Sequence, residues 1–121
     1  MITVLHIDDD PDTRLLVREL LVEPGEAFRL LEAGGVAEAV AQYANMRPDT
    51  ILLDNRMGLE TGLDLVPRIQ QVWDCPVWIL TGFSPEALQD RWGKYGAAGI
   101  IAKDELLTDG TRLKELLLRC F

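Results

Sequence analysis

The chain has 121 residues, 48% of them hydrophobic, enough for one globular domain with a buried core. Its formal net charge of −8 argues against a grip on nucleic acid or an anionic membrane surface and favours binding of cations. No apolar run nears the roughly 18 residues of a membrane span, and two cysteines, Cys75 and Cys120, without metal-ligand spacing suit a reduced, cytoplasmic compartment.

The first apolar run, Thr3–Ile7, reads as a buried strand that stops abruptly at Asp8-Asp9-Asp10. Asp10 before Pro11 has the form of an N-cap followed by proline at the first helical position. Leu16, Val17, Leu20 and Leu21 then make the apolar stripe of a first helix, which ends near Glu23-Pro24-Gly25. Phe28–Ala33 is a more polar second strand, placed near an edge. Val36, Ala39, Val40 and Tyr43 form a second helical stripe. The third strand, Thr50–Leu53, ends in Asp54, and Leu63, Leu65, Val66, Ile69 and Val72 mark a third helix. Val77–Thr81 is a fourth strand. Ser84-Pro85 opens a fourth helix, which carries Leu88 and Trp92 and stops before Gly96. Gly99–Ala102 is a fifth strand followed by Lys103, and a fifth helix runs from about Asp109 to Arg119 with Leu113, Leu116 and Leu117 inward. His6 and Trp78 read as packed strand residues, and Trp92 as packing or partner surface.

Five strands alternating with five helices imply right-handed crossovers and a doubly wound α/β sheet. Ligands of such sheets bind outside the carboxyl ends of the strands. Asp8, Asp9, Asp54, Thr81 and Lys103 all fall there. No repeat or linker divides the chain, so residues 1–121 are expected to form a single domain.

Carboxylates brought together repel one another unless a cation sits among them. An all-oxygen set without Cys or His suits a hard ion such as Mg²⁺, with Mn²⁺ as the alternative. Asp9 and Asp54 are assigned direct metal contacts, and Asp8 a metal-bound water. A carboxylate can attack phosphorus to give an acyl phosphate, so Asp54 is the candidate nucleophile. Lys103 would pair with a phosphoryl oxygen, the Thr81 hydroxyl would donate to another, and Gly82 would leave room for the incoming group. Taken singly, each has a plainer reading: a solvated lysine, a turn threonine, a capping aspartate.

These residues resemble those of a response-regulator receiver domain of two-component signalling. The resemblance is carried by VLHIDDDP (4–11), RPDTILLDNRM (47–57), GLDL (62–65), PVWILTG (76–82) and YGAAGIIAK (95–103), in matching order and spacing over essentially the whole chain. It implies a flavodoxin-like (βα)₅ fold with strand order 2-1-3-4-5, and phosphorylation of Asp54 by a histidine kinase or histidine phosphotransfer protein. It matches Asp8 and Asp9 to the family's acidic pair, Thr81 to its switch hydroxyl and Lys103 to its lysine. Arg56 takes the slot whose backbone carbonyl completes the metal shell. A downstream effector protein or domain would read the switch, with a phosphorylation-dependent homodimer as one outcome. The chain itself would be no enzyme beyond its own phosphorylation and dephosphorylation, and no DNA-binding output is expected within it.

The sequence departs from the family's pattern at Gly58 (commonly proline), Thr61 (often aspartate), Ile100 (usually Tyr or Phe at the switch) and Asp104 (commonly proline). Arg56 and Phe83, each two residues beyond a site residue, are expected to tune loss of the phosphoryl group. The alternatives are a phosphorylation-independent interaction module, an aspartyl phosphatase and, weakest, a flavin binder. The isolated acid after the third strand and the lack of a capping insertion disfavour the phosphatase.

Overall fold

The computed structural model describes residues 2–21, 28–57, 60–82, 96–103 and 110–118. Strands β1 (Ile2–Ile7), β2 (Phe28–Ala33), β3 (Thr50–Asp54), β6 (Val77–Thr81) and β7 (Gly99–Ala102) form one five-stranded sheet in the order β2-β1-β3-β6-β7, all neighbours parallel. Counting only these five, the order is 2-1-3-4-5, as expected. Helices α1 (Pro11–Leu21), α2 (Val36–Tyr43), α3 (Gly62–Val72) and α4 (Gly110–Leu118) connect or follow them. The proposed helix carrying Trp92 lies outside the described residues.

Period-two alternation divides the strand side chains between two cores. Leu5, Ile7, Ile51, Leu53 and Ile79 meet Ala39, Leu65, Val66 and Ile69 of α2 and α3. Val4, Leu52, Leu80 and Ile101 meet Val17 and Leu21 of α1 and Leu113 and Leu117 of α4. Burial on both faces explains why the central strands read as continuous apolar runs. The polar strand β2 is an edge strand, as expected.

Two details differ from the sequence reading. Val72, expected inward, is exposed, and Trp73 fills the core position instead, its indole N–H donating to the Tyr43 carbonyl at 3.0 Å. Beyond Asp54 the chain forms a short antiparallel ribbon, β4 (Arg56–Met57) against β5 (Glu60–Thr61), in addition to the five strands expected. The side chain of Leu116 lies outside the description. Among the described residues no helix is long and apolar enough to cross a membrane.

Trp78 of β6 lies against Gly99 of β7 so closely that a Cβ on that glycine would fall 2.4 Å from Cζ3 of the ring. Gly99 is therefore required by contact, the usual reason for glycine in a strand interior.

Candidate functional site

The ladders carry the acids to the sheet's edge and fix them there. The Asp8 amide donates to the Ala33 carbonyl at 3.0 Å, continuing the β1–β2 pairing, and the Asn55 amide donates to the Leu80 carbonyl at 2.8 Å, continuing β3–β6. The backbones flanking the two buried carboxylates are thus held by sheet hydrogen bonds rather than by loop contacts.

Asp10 is the cap predicted from the sequence. Its Oδ1 accepts from the Asp12 amide at 3.1 Å and its Oδ2 from the Thr13 hydroxyl at 2.8 Å, and these bonds hold its carboxyl below the usual range. Its own amide donates to Asp8 Oδ1 at 2.9 Å, so the cap and the first acid support each other. Arg14, one turn into α1, donates from Nη1 to the Asp8 carbonyl at 2.7 Å. The sequence reading had given Arg14 no role, and nothing in its spacing marks it out.

Asp8, Asp9 and Asp54 offer carboxylate oxygens that all lie within 4.8 Å of one another. Asp8 and Asp54 are buried and Asp9 is exposed, so the cluster opens to solvent on the Asp9 side. Lys103 reaches in from the end of β7, its ammonium 3.1 Å from Asp54 Oδ1 and 3.9 Å from Asp8 Oδ2. Burial pushes the Asp8 carboxyl up. His6, the Asp10 amide and Lys103 together outweigh that and hold it below its ordinary value. The site thus keeps Asp8 ionised despite complete burial.

Thr81 follows Leu80, the strand partner of Asp54, so its buried hydroxyl stands at the same edge one strand over. Ile100 is half-buried beside Ile79 and packs into the core cluster that includes Leu53. A Cβ built on Gly82 meets nothing within 4 Å, in keeping with an open approach to the edge. Arg56 lies in β4, two residues past Asp54. Its side chain, together with Phe83, Gly58 and Asp104, lies outside the described residues.

The structure accordingly gathers Asp8, Asp9 and Asp54, brings Lys103 within 3.9 Å of two of them, and places Thr81 at the end of the adjacent strand. A family model for the response regulator receiver domain matches residues 4–115. The chain belongs to the response regulator receiver domain family.

Among relatives of this receiver is the DNA-binding transcriptional activator DevR/DosR of Mycobacterium tuberculosis, 37% identical over 86% of the chain and 48% of the relative. The receiver spans about half the length of the first curated relatives it matches. Of solved structures, Vibrio cholerae chemotaxis protein CheY4 is 30% identical with a TM-score of 0.80, covering 100% of this chain and 99% of that one. TrrA of Thermotoga maritima, solved in complex with Mg²⁺-BeF, has a TM-score of 0.81 at 24% identity, with 100% of each chain covered, and speaks for the fold.

Proposed function

We propose that this receiver is a Mg²⁺-dependent phosphoacceptor in which Asp54 takes a phosphoryl group from the phosphohistidine of a histidine kinase or histidine phosphotransfer protein. The observation that carries the reading is the buried Asp54 carboxylate, held 3.1 Å from Lys103 within a cluster of three acids.

The donor set fits a divalent cation. It is all oxygen, and Asp8 Oδ2 is buried with no hydrogen-bond donor among the described residues. Asp9 and Asp54 would hold the ion directly, Asp8 through a water, and the Arg56 carbonyl would complete the shell. When bound, the cation neutralises charge on the transferring phosphoryl group, most of what such a transfer needs beyond positioning.

The protein's own residues do the rest. An Asp54 oxygen attacks phosphorus, the P–N bond breaks, and the electron pair leaves on the imidazole. Lys103, 3.1 Å from Asp54 Oδ1, pairs with a phosphoryl oxygen as charge passes outward. The Thr81 hydroxyl donates to another oxygen. Its change of partner, relayed past Ile100, alters the surface read by an effector protein or domain. Arg56 and Phe83 govern access of hydrolytic water. The chain acts on its own phosphoryl group rather than on external substrates, in the cytoplasm beside its donor.

The test is incubation with Mg²⁺ and acetyl phosphate, followed by intact mass. One phosphoryl addition is expected, lost in Asp54→Asn. No addition would leave a phosphorylation-independent module, and turnover of external phosphoesters would point to a phosphatase.

A further inference from the structure

His6 is a buried polar group that the proposed chemistry leaves unused. It stands on β1 two residues before Asp8, so strand alternation turns both side chains to the same face of the sheet. Its paired neighbours are Glu32 on one side and Leu52 on the other, and Val4 precedes it on that face. The imidazole is fully buried, and Nε2 lies 3.3 Å from Asp8 Oδ2. That separation is long for a hydrogen bond. Among the described residues neither ring nitrogen completes a hydrogen bond, and neither does Oδ2.

Buried polar groups in that condition destabilise the fold, and an apolar residue like the neighbouring Val4 or Leu5 would avoid the cost. Oδ1 of Asp8 is already committed to the Asp10 amide, and the Asp8 carbonyl to Arg14. Oδ2 is therefore the oxygen left to serve the cluster, with His6 beside it at 3.3 Å and Lys103 at 3.9 Å.

We infer that His6 is a positioning residue, whose Nε2–H closes onto Asp8 Oδ2 when a divalent cation enters the acidic cluster and so fixes the rotation of the Asp8 carboxylate. Carboxylates of metal sites are themselves commonly oriented by an outer hydrogen bond, and its loss typically weakens metal binding by about 10–100-fold. The inference rests on the proposed reading of Asp8, Asp9 and Asp54 as a cation site. It adds that the site's tuning reaches into the core, one layer below the acids.

The test uses Mg²⁺ alone, titrated against tryptophan fluorescence, with thermal unfolding of the metal-free protein alongside. His6→Leu is expected to unfold no earlier than the unsubstituted protein and to bind Mg²⁺ about ten-fold more weakly. His6→Gln, which keeps an N–H donor, is expected to recover part of that loss. Equal Mg²⁺ affinity in His6→Leu overturns the inference while leaving the cation site standing. Absence of Mg²⁺ binding by the unsubstituted protein overturns both. Imidazole ¹⁵N resonances of the unsubstituted protein give a reading that does not depend on any variant folding. Nε2 is expected to be the protonated nitrogen and to shift on Mg²⁺ saturation, and an unmoved Nε2 resonance overturns the inference.

Discussion

The Lys103 ammonium lies 3.1 Å from Oδ1 of Asp54, joining the ends of β7 and β3 across the intervening strand β6. The same ammonium is 3.9 Å from Asp8 Oδ2, so one cation offsets two buried carboxylates. A fixed positive charge at this place has two opposed effects. It compensates the acids when no metal is present, and it competes electrostatically with any metal that arrives.

Lys103→Met should therefore bind Mg²⁺ more tightly, by about 2–10-fold, because the site becomes more negative. Its phosphorylation by acetyl phosphate should nevertheless slow at least about ten-fold, because a donor to the phosphoryl group is gone. Fluorescence titration and intact mass measure the two quantities. A variant that bound Mg²⁺ more weakly would show that Lys103 orders the carboxylates rather than competing for them.

Arg14 is the strut beneath the acidic pair. Replacing it with methionine removes its 2.7 Å hydrogen bond to the Asp8 carbonyl. Partial exposure of the arginine reduces the value of that bond, so urea unfolding should register a loss of about 1 kcal/mol. Mg²⁺ affinity should fall with it, since the Asp8 backbone loses a tether. An unchanged affinity would confine Arg14 to stability alone.

Acid should destabilise the metal-free protein. Thr13 and the Asp12 amide hold Asp10 below the ordinary 3.8. At Asp8, burial raises the carboxyl, but His6, the Asp10 amide and Lys103 bring it below the same value. Both groups are thus stronger acids in the folded state than in the unfolded one. Their stabilisation is fully present above 3.8 and is lost as pH falls through the folded values. Thermal midpoints measured from neutral pH downward should decline below that point, and Asp10→Ala should flatten part of the decline.

Gly99→Ala would set a methyl group 2.4 Å from the Trp78 ring. Relief requires the indole or the β6–β7 spacing to shift, an overpacking cost of about 1–3 kcal/mol. Trp78→Leu should remove most of that penalty when combined with it, which a double-mutant cycle in urea would measure. Additive losses would mean that the glycine matters for the backbone and not for the ring.

The sheet was readable because buried parallel strands are apolar throughout, and each of three runs stopped at an ionic residue, Asp8, Asp54 or Lys103. Helix starts were readable where chemistry fixes them, as at Asp10-Pro11. Spacing alone did not decide whether Val72 or Trp73 faces inward, since both continue the stripe from Ile69. The larger side chain, able to reach the Tyr43 carbonyl, took the core. The β4–β5 ribbon was invisible because two residues per strand carry no period. For His6, burial was foreseen. Alternation also put it on the face of Asp8, but only coordinates reveal that Nε2 approaches within 3.3 Å. Arg14 was missed because a side chain reaching back to a backbone carbonyl leaves no pattern in sequence.

The edge strand β2 has a consequence for how copies of this protein meet. Unpaired backbone groups along an edge invite a strand from another molecule. Here Arg29 is exposed on that strand, and Glu32 is clamped by both Nε and Nη2 of Arg18, at 2.8 and 3.0 Å. A neighbouring strand docking there would have to strip water from these charges. Fibrillar growth from the β2 side is thereby discouraged.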